Sequence, residues 1–300
     1  MKMKKIVLNS IAFIILFCGT NLYLKNTSTF YKQEKEYQKP IDQLEEGKSN
    51  IILLGDSHLA SLKKLNLDPK IANLAYGADG IKEMYAKSLL LVNKIQNIDY
   101  VLVSTEPQMF NAGTSPNGTF LNRYIFDLEE ARTLYNKNKL DVICDAVPLF
   151  NNDYLNFFRN KTYLTLKGTS SSKNEKSWED LSIKEKEAQS SELGKLDHSS
   201  IMSQSQDTIY FNKMMELFQQ NNIKVISIKF PVTPSYFKEC SQEDLNNVNK
   251  YLQQFSFYET MDYTHAIDSL SYFEDPDHLK KKGVKQIAKD IEKQTGLSIL

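Results

Sequence analysis

Hydrophobic and polar positions fall into two regimes along the chain. Residues 6–24 form a mostly apolar run behind Lys2, Lys4 and Lys5. At about 1.5 Å of rise per residue, a helix over that run covers about 28 Å, close to the hydrocarbon thickness of a bilayer. Past residue 49 the pattern changes to short apolar runs that alternate with segments whose apolar side chains recur every three or four positions. The runs predict strands at 50–54, 71–75, 100–104, 223–228 and 266–270. The periodic segments predict helices at 57–64, 80–95, 128–138, 208–220, 242–255 and 278–294. Strands alternating with helices imply an α/β fold, a mostly parallel sheet with helices on both faces and ligands bound at the carboxyl ends of its strands.

Two stretches stand outside this alternation. Residues 26–49 are polar with interspersed Lys and Glu, and read as a tether or short helix lifting the domain off the membrane. Residues 167–206 are dense in Ser, Lys, Glu and Gln around Trp178, the chain's sole tryptophan. Such a segment is expected to build no core; it reads either as a mobile lid or acceptor-binding insertion, or as a surface excursion with short helices. The expected organisation is a cytoplasmic stub and anchor at 1–25, a linker at 26–49 and one domain at 50–300 carrying the insertion.

Composition narrows the function classes. At 300 residues and 41% hydrophobic, the chain can bury a substantial core. Its 37 basic and 37 acidic side chains cancel, so no global field draws it to nucleic acid. The basic end should stay in the cytoplasm, which puts everything after Lys25 on the far side of the membrane. A cleaved signal would have a shorter apolar region and a small-x-small site, and none is seen at 18–23. Phe17 is too bulky for the small residue expected before a lipid-modified Cys18. Asn9, Ser10 and Asn21 make the anchor less apolar than usual, either because they lie near the interfaces or because a partner helix satisfies them. Outside the anchor, Cys144 and Cys240 could pair in an oxidising compartment, but two cysteines are no disulfide framework. With no CxxC or closely paired His/Cys set, no metal and no cofactor is expected.

Candidate chemistry sits at the two ends of the alternating region. The apolar run 51–54 stops on Gly55-Asp56-Ser57-His58, a buried strand followed by a turn that lifts one hydroxyl to the sheet rim. Far downstream, Asp275-Pro276-Asp277-His278 puts a carboxylate and an imidazole on one loop. A serine hydroxyl needs a base to take its proton, and a histidine oriented by a carboxylate does this best. Of the four histidines, His58 adjoins the serine and should point elsewhere, while His198 lies in the polar insertion. His265 is expected to be structural, leaving His278 as base with Asp275 fixing its tautomer. Either tetrapeptide alone is ordinary turn or helix-cap composition, and their combination across a parallel α/β pattern carries the reading.

On these motifs the chain resembles the SGNH, or GDSL-type, hydrolase superfamily over about residues 50–300. The resemblance implies a three-layer, flavodoxin-like fold, with Ser57 as nucleophile and Asp275 and His278 as orienting acid and base. It further implies an oxyanion hole made by the N–H of Ser57 and of a glycine after the second strand, here Gly77, with Gly80 in reserve. The family's third-block asparagine is absent. The segment from Ser104 to Asn111 stands in its place, where Gln108 or Asn111 could substitute. That departure, the histidine after GDS, the anchor and the segment FPVTPSYF at 230–237 resemble a membrane-anchored subset including the proteins of teichoic acid D-alanylation and alginate-type O-acetylation. For that subset the expected activity is O-acylation, such as O-acetylation, of a cell-surface polysaccharide through an acyl-Ser57 intermediate. The implied partners are an acyl donor, a glycan acceptor and a multi-spanning membrane-bound O-acyltransferase. An esterase or deacetylase of the same glycans is the alternative enzyme. A catalytically weak scaffold that binds polysaccharide or docks on an acyltransferase is the alternative of another class.

Overall fold

The computed structural model describes residues 2–28, 32–77, 79–95, 97–111, 128–151, 154–156, 159, 176–198, 201 and 205–300. In chain order the elements are α1 (Lys2–Thr27), α2 (Lys32–Glu45), β1 (Ile51–Leu54), α3 (Ser57–Ala60), β2 (Ile71–Asn73), α4 (Ile81–Lys94) and β3 (Tyr100–Ser104). They continue with α5 (Glu129–Leu134), α6 (Lys139–Ala146), α7 (Ile183–Asp197), α8 (Ser205–Gln220), β4 (Lys224–Lys229), α9 (Pro234–Phe237), α10 (Gln242–Leu252), β5 (Glu259–Asp262) and α11 (Lys281–Thr295). The chain divides into two compact units. The smaller comprises Met1–Tyr37 and Gly118–Asn174; the larger comprises Gln38–Asn117 and Glu175–Leu300.

The larger unit is α/β. Its five strands form one all-parallel sheet in the order β2-β1-β3-β4-β5, flanked by helices. The order reverses between β1 and β3, and in open sheets of this kind the crevice beyond the strand ends at such a switch point is where ligands bind. β1 is Ile51, Ile52, Leu53 and Leu54, all buried, as a central parallel strand covered on both faces requires. One face of the sheet (Ile51, Leu53, Leu102, Ile226, Ile228 and Met261) shares a core with Val284, Ile287, Ala288 and Ile291 of α11. Those four recur at helical spacing, so the amphipathic stripe read from the sequence is the buried face. Burying each such aliphatic side chain is worth about 1.5–3 kcal/mol.

Gly55 has a steric reason of its own. A Cβ there would lie 2.0 Å from Ser104 Oγ and 2.7 Å from Ser104 Cβ, so only glycine lets the end of β1 pass the end of β3.

Several expectations are corrected. The last strand is β5 at Glu259–Asp262 rather than 266–270; Leu270–Tyr272 is a 3₁₀ turn. Residues 278–280 precede α11 instead of opening it, and the N-cap is Lys280, so His278 sits on a loop held by the Phe273–Leu279 bridge. Part of the stretch read as a tether is folded: Ile41 and Leu44 are buried, and Ser49 Oγ donates to the Pro69 carbonyl at 2.7 Å. The polar insertion does contribute to a core, because Trp178 belongs to the same cluster as the sheet, and residues 183–197 form α7, capped by Ser182. Its residues 167–175, 199–200 and 202–204 lie outside the described residues. Cys18, Cys144 and Cys240 are all free thiols.

In the smaller unit, α1 is long and apolar enough to cross a membrane. Asn21, one of the polar positions that stood out in its sequence, donates from Nδ2 to the Phe17 carbonyl at 2.9 Å and accepts the Leu149 N–H at Oδ1 at 3.0 Å.

Candidate active site

The turn after β1 puts Ser57 at the first position of α3. Asp56 caps that helix, its Oδ1 accepting the His58 N–H at 3.0 Å. The loop after β2 is fastened to the same strand end, since Tyr76 N–H donates to Gly55 O at 3.0 Å. This brings Gly77 alongside the nucleophile: a Cβ on Gly77 would be 3.9 Å from Ser57 Cβ. Beneath the loop, Lys87 is wholly buried and donates to the Leu74 carbonyl at 2.6 Å and to Asp79. Burial pushes Asp79 up to about 6 against the pull of Lys87. The pair ties α4 to both ends of the segment that carries Gly77.

The partner loop is fixed from three sides. Asp275 Oδ1 accepts the N–H groups of Asp277 at 3.1 Å and His278 at 2.8 Å, an Asx turn around Pro276. The fully buried Thr233, just beyond β4, donates to the Pro276 carbonyl from both N (3.1 Å) and Oγ1 (2.7 Å). Lys64 donates to the Leu279 carbonyl at 2.8 Å. The expected triad is assembled. His278 Nε2 is 2.6 Å from Ser57 Oγ, and His278 Nδ1 is 2.9 and 3.0 Å from the two oxygens of Asp275. Ser57, His278 and Asp275 thus lie in the order nucleophile, base, orienter.

The sequence reading missed how much charge surrounds this triad. His58 does not point elsewhere. Its ring is buried with its centroid 5.2 Å from that of His278, and its Nε2 lies 3.3 Å from Asp277 Oδ2. Asp277 Oδ1 lies 3.1 Å from His278 Nδ1, so one carboxylate bridges the two imidazoles. Across the His58 ring, Nδ1 lies 3.6 Å from Asp56 Oδ2, 3.7 Å from Glu106 Oε1 and 3.2 Å from Gln108 Nε2. The signal was present in the tetrapeptides themselves, since GDSH and DPDH each carry one extra acid or imidazole beside the triad member.

Burial and charge set opposing pressures here. Burial favours a neutral His58, but Asp56, Asp277 and Glu106 outweigh it and raise the ring well above the ordinary histidine range. Burial likewise opposes the charge on His278, yet hydrogen bonds to Asp275 and Asp277 hold it up to about 9. Burial raises Asp56 to about 6. Asp277 is buried too, but its hydrogen bonds to His278 and His58 push it far below the ordinary range.

A cavity of about 150 Å³ opens beside the nucleophile, lined by Ser57, Asp79, Gly80, Gln108, Asn111 and Asp197 among others. Of the candidate substitutes for the missing asparagine, Gln108 has its amide nitrogen against His58, and Asn111 donates to the Asp197 carbonyl. Both border the cavity, but with these amide nitrogens engaged neither holds a donor in readiness for an oxyanion. Gly80 instead caps α4, its N–H donating to Glu83 Oε2 at 3.0 Å. Asp197 arrives from the polar insertion and accepts from Tyr236 OH at 2.8 Å. α7 can approach that closely because residue 194 is glycine; a Cβ there would be 2.5 Å from the Tyr236 carbonyl oxygen.

Sequence spacing indicated no metal cluster, yet the fold assembles two sets of donors with the spacing to hold a cation: His58, Asp277 and His278, and Asp56, His58 and Glu106. Both share His58, which the surrounding carboxylates hold as an imidazolium, so the donors already compensate one another. A scan against models of known protein families finds no match to this chain, and a search of curated proteins also finds none.

Proposed function

We propose that this chain is a membrane-tethered serine acyl-transfer enzyme of the SGNH type, one that O-acylates a cell-surface polysaccharide through an acyl-Ser57 intermediate. The observation that carries the reading is the 2.6 Å contact between Ser57 Oγ and His278 Nε2 with Asp275 behind it. In the first half-reaction Ser57 Oγ attacks the acyl carbonyl of the donor while His278 takes the hydroxyl proton, and Asp275 stabilises the imidazolium. The N–H groups of Ser57 and Gly77 receive the developing oxyanion. Donors of this kind each contribute about 2.7–4 kcal/mol to lowering the barrier. The protonated His278 then hands its proton to the leaving group. In the second half-reaction a sugar hydroxyl, deprotonated by His278, attacks the acyl-enzyme.

Hydrolysis and transfer share that acyl-enzyme and differ in the nucleophile that reaches it. Transfer is favoured by α1, which suits an enzyme held at the cell surface, and by the resemblance to the membrane-anchored subset; the same resemblance supplies a multi-spanning O-acyltransferase as the partner that delivers acyl groups. The test is to load the full-length, detergent-solubilised chain with p-nitrophenyl acetate and add oligosaccharides. Acetylated sugar supports transfer. Release of acetate alone, at an unchanged rate with sugar present, makes the protein an esterase or deacetylase.

His278 must be neutral before it can act as base. Raised to about 9, it is mostly protonated near neutrality, so the rate of Ser57 acylation should climb with pH and level off above about 9. His58 faces Asp56, Glu106 and Asp277, and its positive charge lowers the pKa of His278. His58→Gln should therefore move the midpoint of the profile to higher pH. Asp277→Asn removes a negative charge from beside the ring and should move it lower. Burst kinetics across pH reads both shifts, and movement of both variants in one direction would contradict the assignment.

His265 rests edge-on against Phe237, ring centroids 4.6 Å apart, in a cleft of about 580 Å³ lined also by Lys229 and Asp262. Its distance from the triad in the network leaves it no part in proton transfer. His265→Ala should keep most acylation activity; loss of activity there with retention in His278→Ala would reassign the base.

A further inference from the structure

In the smaller unit, the turn that follows α6 docks on α1 through two contacts. Leu149 N–H donates to Asn21 Oδ1 at 3.0 Å, and the rings of Phe150 and Phe17 lie with centroids 5.5 Å apart. Phe17, Thr20, Asn21 and Leu24, a stripe at helical spacing, are half-buried, whereas most of α1 is exposed. The contacts fix a depth. Leu24 ends the apolar run; Asn21 lies about 5 Å and Phe17 about 10 Å before it along the helix axis. If the run fills the bilayer, the docked turn lies that far inside the hydrocarbon boundary at the C-terminal end of α1.

Two further observations match that depth. Backbone donors outside water must find partners within the protein. Val147 N–H donates to Cys144 O, Leu149 N–H to Asn21, and the N–H groups of Phe150 and Asn151 both to Val147 O, while Pro148 has none to satisfy. The side chain of Asn151, only 1% exposed, donates to Asp145 O and accepts from Tyr154 N–H. The second observation concerns exposed apolar groups. Among the described residues outside α1, four of the eight exposed large hydrophobic side chains fall in this short stretch: Leu140 (67%), Ile143 (49%), Phe150 (54%) and Leu155 (40%). Its charged groups are held among themselves, Asp145 with Lys137 and Asp141 with the Asn138 cap.

We propose that residues 139–155 are a second, monotopic membrane contact, in which Leu140, Ile143, Phe150 and Leu155 enter the acyl region of the leaflet nearest the C-terminal end of α1. The occupant of this apolar face is lipid. Interfacial elements of this kind sit about 5–10 Å into the headgroup and acyl boundary, the depth at which the turn meets α1. The proposal rests on α1 spanning the bilayer. It gives Asn21 a purpose: the amide that weakens the anchor's hydropathy is the clip that holds the turn at its depth.

The test uses the full-length chain in phosphatidylcholine vesicles containing lipids brominated near the top of the acyl chains. Native Trp178, in the core of the larger unit, gives the background emission. Phe150→Trp should add blue-shifted emission that the brominated lipid quenches, and Leu155→Trp, on the same face, should behave alike if the first variant folds poorly. Phe13→Trp, on the exposed surface of α1, reports the anchor independently. Quenching at Phe13→Trp without quenching at either other position overturns the proposal and leaves the anchor standing. Quenching at none of the three overturns both. Blue-shifted but unquenched emission at Phe150→Trp means that a second copy or another protein covers the face, which also contradicts it.

Discussion

His278→Ala should lower the rate of Ser57 acylation on the order of a million-fold, the loss met when a serine triad is stripped of its base. The ring is the only group within hydrogen-bonding distance of Ser57 Oγ among the described residues, and no second base replaces it. His58 is nearby, but it is buried among Asp56, Glu106 and Asp277, and their charges keep it protonated. The variant should fold. The His278 side chain is 25% exposed, and the neighbouring packing comes from Leu279 and Phe273. Combining His278→Ala with Ser57→Ala should cost scarcely more than either alone, because the two act as one unit. Stopped-flow release of p-nitrophenol, alongside circular dichroism to establish folding, measures this.

Asp275→Asn should cost roughly 10⁴-fold at neutral pH. An amide at 275 can present its NH₂ to Nδ1 and hold the ring in the tautomer that keeps a proton on Nε2, where the base must be empty. Asp277 is nearly as close to Nδ1, at 3.1 Å, so geometry alone does not separate the two acids. Their other contacts do. Asp275 also accepts two backbone N–H groups of its own turn, a fixed arrangement aimed at His278, whereas the second oxygen of Asp277 turns to His58. Asp277→Asn should therefore displace the pH profile with a far smaller loss at its optimum. If Asp277→Asn proves the more damaging, the orienting role passes to residue 277.

The alternation of apolar runs with helical periods carried the parallel α/β architecture, because buried parallel strands such as Ile51–Leu54 leave a continuous apolar signature. The last strand was misplaced for the complementary reason. β5 is Glu-Thr-Met-Asp with only Met261 buried, an edge strand paired on one side, and it has too little apolar content to announce itself. The triad was legible because each half is compact in sequence and sits where a strand or a helix boundary constrains it. The network around His58 was not. Its members come from the ends of β1 and β3 and from the loop before α11, and only the strand order sets Glu106 and Asp277 on either side of one ring. The polar composition of 167–206 likewise concealed Gly194 and Asp197, whose importance lies in what they approach rather than in their own hydropathy.

The most direct test of the central claim is the mass of the acyl-enzyme. Full-length chain mixed with p-nitrophenyl acetate and quenched in acid should gain one acetyl group, and peptide mapping should place it on Ser57. Ser57→Ala and His278→Ala should show none on the same timescale. An unmodified native chain, or an acetyl group that persists in Ser57→Ala, would contradict the account.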